Sequence, residues 1–248
     1  MKIKIIVPVY KSANNLQKLC DSVISQSHKD WELLIAVDSC KESHEQAKQI
    51  VSNLKDEDAS KISISINNER KFALGNICNS ITSSSVPLDW GFEHTIYGVI
   101  DGDDELCNNK TLSLIISEYE NGANLAWTTY KRDDEGECVS DLFPSGANPY
   151  TYKWVSSHFR TFGNWIFHKI NQQNFKDQSG NFFKRAYDQA LMLPMLYYCS
   201  QNKLKTSFIP EVCYQYNHSG SSTPLEEHTN GLYEHQLSTF IRSRGYIE

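Results

Sequence analysis

The sequence has no Cys-x-x-Cys pair, although seven cysteines are scattered through it as Cys20, Cys40, Cys78, Cys107, Cys138, Cys199 and Cys213. That spacing excludes a thiolate zinc site or a dithiol redox pair. An odd number of unclustered cysteines fits a reducing cytoplasm. Apolar runs of 18 residues are absent too, and Pro8 interrupts the short apolar start Lys2–Val9. Neither a signal peptide nor a membrane span is therefore expected, and the expectation is a soluble, cytoplasmic protein. Basic excess is also missing: 24 Lys and Arg stand against 30 Asp and Glu, a net charge of −6. A general nucleic-acid binder normally shows the opposite balance. With no repeats and no low-complexity linker, one continuous domain over residues 1–248 is the simplest organisation.

What is present is a strong alternation of apolar runs and helical periodicity. Lys2–Val9 is apolar almost without break, as a buried parallel strand would be. Leu16, Leu19, Cys20, Val23 and Ile24 follow at helical spacing. Trp31–Asp38 reads as a second strand, Glu42–Leu54 as a helix, and the strict alternation in Ile62–Ile66 as a third strand at an edge. A short helix through Ile77 and Ile81, a strand at Thr95–Ile100, a helix marked by Leu112, Ile115, Ile116 and Tyr119, and a strand at Ala123–Tyr130 complete the pattern. This order predicts an α/β fold, a Rossmann-like and mostly parallel sheet flanked by helices, over about the first 130 residues. Residues 131–248 differ. Lys131–Asn148 is polar, Tyr150–Ile170 is rich in aromatics, Ala186–Cys199 is a helix with Pro194 inside it, Phe208–Tyr216 is a late strand, and Leu225–Arg244 is weakly helical and polar.

The strand Thr95–Ile100 stops at Asp101-Gly102-Asp103-Asp104. Open α/β sheets bind ligands at the carboxyl ends of their strands. Carboxylates at i and i+2 of an extended chain face the same way, about 7 Å apart. One can then hold a divalent cation and the other a ligand hydroxyl. Three like charges in four residues repel unless a cation or open water compensates them. A solvated acidic turn is the plainer alternative, since a short motif is weak alone.

Other motifs add to it. Val7-Pro8-Val9-Tyr10 closes the first strand and Val37-Asp38-Ser39 the second; Tyr187-Asp188-Gln189 opens a late helix, and Tyr214-Gln215-Tyr216-Asn217-His218-Ser219-Gly220-Ser221-Ser222 follows. In this order, over residues 3–222, the motifs resemble those of family 2 inverting glycosyltransferases of the GT-A fold. The resemblance implies a hexosyltransferase-type enzyme, with residues 1–130 binding the nucleotide sugar and 131–248 facing the acceptor. Pro8, Val9 and Tyr10 would line the nucleobase pocket, and Asp38 would bond the base or ribose, its plainer alternative being a helix cap. Arg70 and Lys71 would lie near the diphosphate, while Gly75 and Asn76 would let a ligand approach the backbone closely. Asp101 would bind ribose, Asp103 the metal with Asp104 in support, and His218 would be a late metal or diphosphate contact. Mn²⁺ or Mg²⁺ is the implied ion, because both take hard oxygen ligands. His158 and Arg160 would touch phosphate or acceptor hydroxyls. Trp154 and Trp165 would stack on sugar or join the core, the commoner role.

Asp188 is the implied general base, taking the acceptor hydroxyl's proton on the face opposite the leaving group; Asp177 is a rival. The family pattern carries Glu where this chain has Tyr187. The expected partners are a nucleotide-sugar donor, with UDP as the default nucleotide, and a glycan or other hydroxyl acceptor, a nucleic-acid acceptor included. Two other functions are weighed against this one. A nucleotidyltransferase that forms nucleotide sugars needs a Gly-rich phosphate loop after its first strand, and Tyr10-Lys11-Ser12-Ala13-Asn14-Asn15 contains no glycine. An inactive carbohydrate- or nucleotide-binding module has no need of the full set of acids.

Overall fold

The computed structural model describes residues 1–84, 94–217 and 232–248. In chain order the elements are β1 (Lys2–Val9), α1 (Ala13–Ile24), β2 (Trp31–Asp38), α2 (Lys41–Ser52), α3 (Asp56–Ala59), β3 (Ile62–Asn67), α4 (Phe72–Ser83), β4 (Thr95–Val99), β5 (Glu105–Leu106) and α5 (Thr111–Glu120). Then come β6 (Leu125–Arg132), β7 (Arg160–Gly163), α6 (Asn164–Lys169), a 3₁₀ turn at Gln172–Phe175, α7 (Tyr187–Gln201), β8 (Thr206–Tyr216) and α8 (Leu232–Arg244). The strands form one sheet in the order β3-β2-β1-β4-β7-β6-β8-β5.

Helices cover both faces, which is why the first strands are apolar throughout. Side chains alternate between faces along a strand. Ile3, Ile5, Val7 and Val9 accordingly enter one core with Leu16, Leu19, Ile50 and Ile115. Ile6 enters the other core with Ile77, Phe162, Leu191 and Met195. On β4, Ile96 joins the first core and Tyr97 and Val99 the second. Each such fully buried side chain contributes on the order of 1.5–3 kcal/mol over an exposed one. Residues Ala190–Leu196 of α7 are buried without a break, so the helix is apolar all round and runs on through Pro194.

Strands β1, β2, β3 and β4 are parallel, and their carboxyl ends, Val9, Asp38, Asn67 and Val99, share one edge. Strand β7 runs against β4 and β6, pairing Arg160 with Val99 and with Trp127. Its first residue, not its last, is thereby delivered to that edge. β8 runs parallel to β6 and brings Tyr214 and Tyr216 to the same side; β5 pairs Leu106 with Tyr214. All seven cysteines are free thiols. No helix among the described residues is long and apolar enough to cross a membrane.

Candidate active site

After β4 the chain stays in the sheet for one more bond, Ile100 N–H to the Ile6 carbonyl at 3.1 Å, and then turns through the acids. Asp104 N–H closes the turn on the Asp101 carbonyl at 2.9 Å. Gly102 lies against the end of β1. A Cβ there would meet Ser12 Oγ at 2.8 Å and the Pro8 carbonyl at 2.9 Å, so only glycine fits this approach. The Asp103 carbonyl accepts from Asn15 Nδ2 at 3.0 Å and from Asn217 Nδ2 at 2.8 Å. The acid turn is thus tied to the start of α1 and to the end of β8.

Two tyrosines hold the carboxylates. The Tyr214 hydroxyl accepts from Asp101 N–H at 3.1 Å and donates to Asp104 Oδ2 at 2.8 Å. Asn217 N–H donates to Asp104 Oδ1 at 2.8 Å. Both Asp104 oxygens are therefore engaged, and Asp104 is 1% exposed. The Tyr187 hydroxyl donates to Asp101 Oδ1 and accepts from Arg160 Nη1 at 2.9 Å. Arg160, 1% exposed, also donates from Nε to the Ser157 carbonyl and from Nη2 to His158 Nδ1 at 2.9 Å. A guanidinium only donates, so His158 Nδ1 is an acceptor and the ring proton sits on Nε2. The His158 ring stacks on Tyr214 and Tyr216, with centroids 4.7 and 5.1 Å away.

Charge in this cluster follows from crowding. Burial, and then the neighbouring Asp103, push the Asp101 carboxyl up to about 6 against the pull of Arg160 and Tyr187. Burial, then Asp101 and Asp103, push Asp104 up to about 8. Burial, then Arg160 and Arg132, hold His158 well below the usual imidazole range, so it is neutral. Burial works against the charge on Arg160, but Tyr187, Asp101 and Asp188 outweigh it and the guanidinium stays a cation.

Asp101, Asp104 and His158 each offer a ligand atom within 4.8 Å of one another. The Nδ1 lone pair of His158 is committed to Arg160 and both Asp104 oxygens are committed to the protein. The acids strain against ionising together, and their oxygens are hard donors, so Asp101 and the half-exposed Asp103 are residues of this turn that could hold a divalent cation. Asp104 then supports the turn as an anchored neighbour, and His158 works behind it.

Asp188 stands in the first turn of α7, half-buried, one residue after Tyr187. Among the described residues it makes no hydrogen bond, while its charge acts on Asp101, Tyr187 and Arg160. The rival Asp177 is spent on its own turn, where Oδ1 accepts from Ser179 N–H at 2.9 Å and Asn181 N–H at 3.0 Å.

On the side of β1 and β2, the Arg70 guanidinium lies over the Tyr10 ring at 3.8 Å and over Phe72 at 4.5 Å. Pro8 and Val9 are buried in the last turn of β1 beside Gly102. Asp38, 2% exposed, accepts the backbone N–H groups of Lys71 and Phe72 with its two oxygens. It caps α4 from the neighbouring strand, a favourable place for negative charge. Lys71 pairs with Glu69 through its side chain. Asn76, His158 and Arg160 have hydrogen-bond partners within the protein, and Gly75 has close packing neighbours. A Cβ on Gly75 would lie 3.3 Å from Lys71 Cβ and 3.4 Å from the Phe182 ring, so a glycine suits the close packing of α4 against Phe182. Asn76 is 2% exposed and bonds Asn67, in the wall of a separate cleft of about 290 Å³ between β3 and α4 that no acid lines. His158 and Arg160 are enclosed behind Asp101, because β7 enters the sheet at the level of Val99 and draws them inward. Trp154 and Trp165 pack on the second core. His218 lies outside the described residues.

The sequence reading did not assign Tyr187, Tyr214 or Asn217 to the site. The signal for the tyrosine on β8 was there: Tyr214 and Tyr216 alternate on one face at the end of a strand.

A mostly parallel, curled sheet with acids at its carboxyl edge and a reversed strand beside them is the GT-A glycosyltransferase architecture. Residues 4–175 match the model of Glycosyl transferase family 2, and the chain belongs to that family. Among solved structures it is similar to S. aureus TarS in complex with UDP-GlcNAc, at 14% identity and a TM-score of 0.70, over 100% of this chain and 68% of that one. A second TarS structure, at 16% identity and a TM-score of 0.63, matches 88% of this chain, which spans 60% of its length. The mannosyltransferase PcManGT from Pyrobaculum calidifontis, in complex with GDP-Man and Mn2+, is 10% identical with a TM-score of 0.64, over 98% of this chain and 64% of that one. No curated protein matches the sequence.

Proposed function

We propose that the chain is a metal-dependent inverting glycosyltransferase that moves a sugar from a nucleoside-diphosphate sugar to a hydroxyl acceptor. The observation that carries this reading is the adjacency of Tyr187 and Asp188. The first is bonded to the donor-side carboxylate Asp101, and the second offers an uncommitted carboxylate one residue away. One acid group thus belongs to the donor and another is at hand for the acceptor. Asp188 takes the proton of the acceptor hydroxyl as its oxygen bonds to the anomeric carbon. The bond from that carbon to the diphosphate oxygen breaks on the opposite face, so the configuration inverts and the nucleoside diphosphate leaves. Asp101 and Asp103 would hold a divalent ion, which would supply charge neutralisation for the diphosphate. Arg160, fixed behind Asp101, keeps that carboxylate oriented and its charge balanced. Tyr10, with Arg70 across its face, offers a wall for the base.

The donors in the neighbouring structures, UDP-GlcNAc and GDP-Man, support a nucleoside-diphosphate sugar here, with UDP-sugars the first to test. The test is release of nucleoside diphosphate from UDP-GlcNAc and GDP-mannose, with Mn²⁺ and with a chelator. Release that requires Mn²⁺ supports the reading. Binding of donor without any release, across donors and hydroxyl acceptors, would leave a binding module in its place.

A further inference from the structure

The helix α8 reaches back to the residue on the other side of Asp188. Gln189 Oε1 accepts two hydrogen bonds from it, one from Ser238 Oγ at 2.9 Å and one from Arg242 Nε at 2.8 Å. Arg242 is itself fixed. Its Nη1 donates to the carbonyls of Pro149 at 3.1 Å, Tyr150 at 3.3 Å and Tyr152 at 2.8 Å. Ile241, beside it, is 1% exposed in the second core. One guanidinium therefore joins the C-terminal helix, the aromatic loop before β7 and the first turn of α7.

Successive helical residues point about 100° apart, so 187, 188 and 189 face three directions. The outer two are held by different parts of the molecule: Tyr187 by Asp101 and Arg160, Gln189 by α8. Asp188 lies between them with no hydrogen bond among the described residues. Each hydrogen bond to a carboxylate takes one of its roughly four lone-pair sites and lowers its basicity. Fixing the backbone through both neighbours aims it and leaves the oxygens open.

We infer that Gln189, gripped by Ser238 and Arg242, is a positioning residue for Asp188, and that α8 belongs to the catalytic apparatus as the brace of its general base. The inference rests on Asp188 being that base.

The test uses the full chain and two variants. Gln189→Leu removes the shared acceptor while Arg242 keeps its three carbonyls, so the loss is confined to one bond each of Ser238 and Arg242. Gln189→Glu keeps an oxygen for both donors. For the leucine variant, kcat for sugar transfer should fall at least ~10-fold, the scale expected when a reacting group is misplaced by a fraction of an ångström. The Kd for UDP with Mn²⁺ should stay within about twofold. The glutamate variant should recover most of the rate. A crystal structure of the leucine variant should show the first turn of α7 displaced. An unchanged kcat, a parallel loss of UDP affinity and melting temperature, or an unmoved Asp188 in that crystal would each overturn the proposal. Silence of the wild type toward every donor would instead remove the transferase reading, and the position of Asp188 in the variant crystal would still decide whether the brace exists.

Discussion

The hydroxyl of Tyr187 stands between Arg160 and Asp101, accepting from the one at 2.9 Å and donating to the other. It joins α7 to β7 and to the acid turn in a single step. Tyr187→Phe keeps the ring and removes the link, leaving a buried cation and a carboxylate each short of a partner. The expected loss of unfolding free energy is about 1–3 kcal/mol, read from urea denaturation. A loss below ~0.5 kcal/mol would show that the two groups re-pair without it.

Asp103→Asn keeps the size of the side chain and removes its charge. Mn²⁺-dependent release of nucleoside diphosphate should fall by two orders of magnitude or so, each tenfold being about 1.4 kcal/mol of barrier. Wild-type rates at saturating Mn²⁺ would refute the role of this carboxylate in holding the ion.

Asp188→Asn removes the proton acceptor and leaves the acid turn alone. Calorimetry should give an unchanged Kd for UDP with Mn²⁺, while transfer drops ~10²–10⁴-fold, the range for loss of a general base. Undiminished transfer would dismiss Asp188 from that role.

Asp38→Ala strips α4 of its cap and exposes the Lys71 and Phe72 amides to a site with no acceptor. The melting midpoint should fall, by the equivalent of about 1–2 kcal/mol. Donor affinity should weaken as well, because Arg70 and its Tyr10 contact sit on the same loop. A changed melting point with an unchanged donor Kd would confine Asp38 to the capping role.

The raised carboxyls give a pH dependence with a definite sign. Asp101 and Asp104 keep their protons in the folded protein to higher pH than in the unfolded chain. Their contribution is fully present below the ordinary carboxylate value near 3.8 and is lost as pH rises through about 6 and about 8. In the presence of chelator, thermal stability attributable to these groups should decline from pH 5 to 8.5. Added Mn²⁺ should raise the melting point most at the top of that range, since ions compete with protons for the same oxygens. An increment from Mn²⁺ that shrinks as pH rises would contradict the assignment.

The first half of the fold was legible because β1, β2 and β4 are buried along most of their length and α1 and α5 bury one face, while the edge strand β3 shows as an alternation. Ile3 to Val9 and the Leu16–Ile24 periodicity leave little choice of element. Strand β7 was not legible. Arg160-Thr161-Phe162-Gly163 is short and begins with a charge, and the guanidinium's three hydrogen-bond partners, Ser157, His158 and Tyr187, let it lie in a sheet. The two-residue β5 carries no pattern at all. In the site, acid spacing and motif order single out Asp101, Asp103 and Asp188, and the fold brings Asp103 and Asp188 within electrostatic reach of Asp101. The bonding of Asp104, Asp38 and His158 was not readable, because a carboxylate or imidazole looks the same in sequence whether it meets a ligand or a neighbouring amide. Helix α8 read as a weak polar tail because its apolar face among the described residues is only Leu237, Phe240 and Ile241, and Arg242 and Arg244 dock the rest through backbone carbonyls.

The reversed direction of β7 carries a last consequence. The polypeptide between Arg132 and Arg160 leaves the sheet and re-enters it on the same rim, so its length is independent of strand register. Relatives can lengthen, shorten or replace this excursion without reshuffling a single ladder bond.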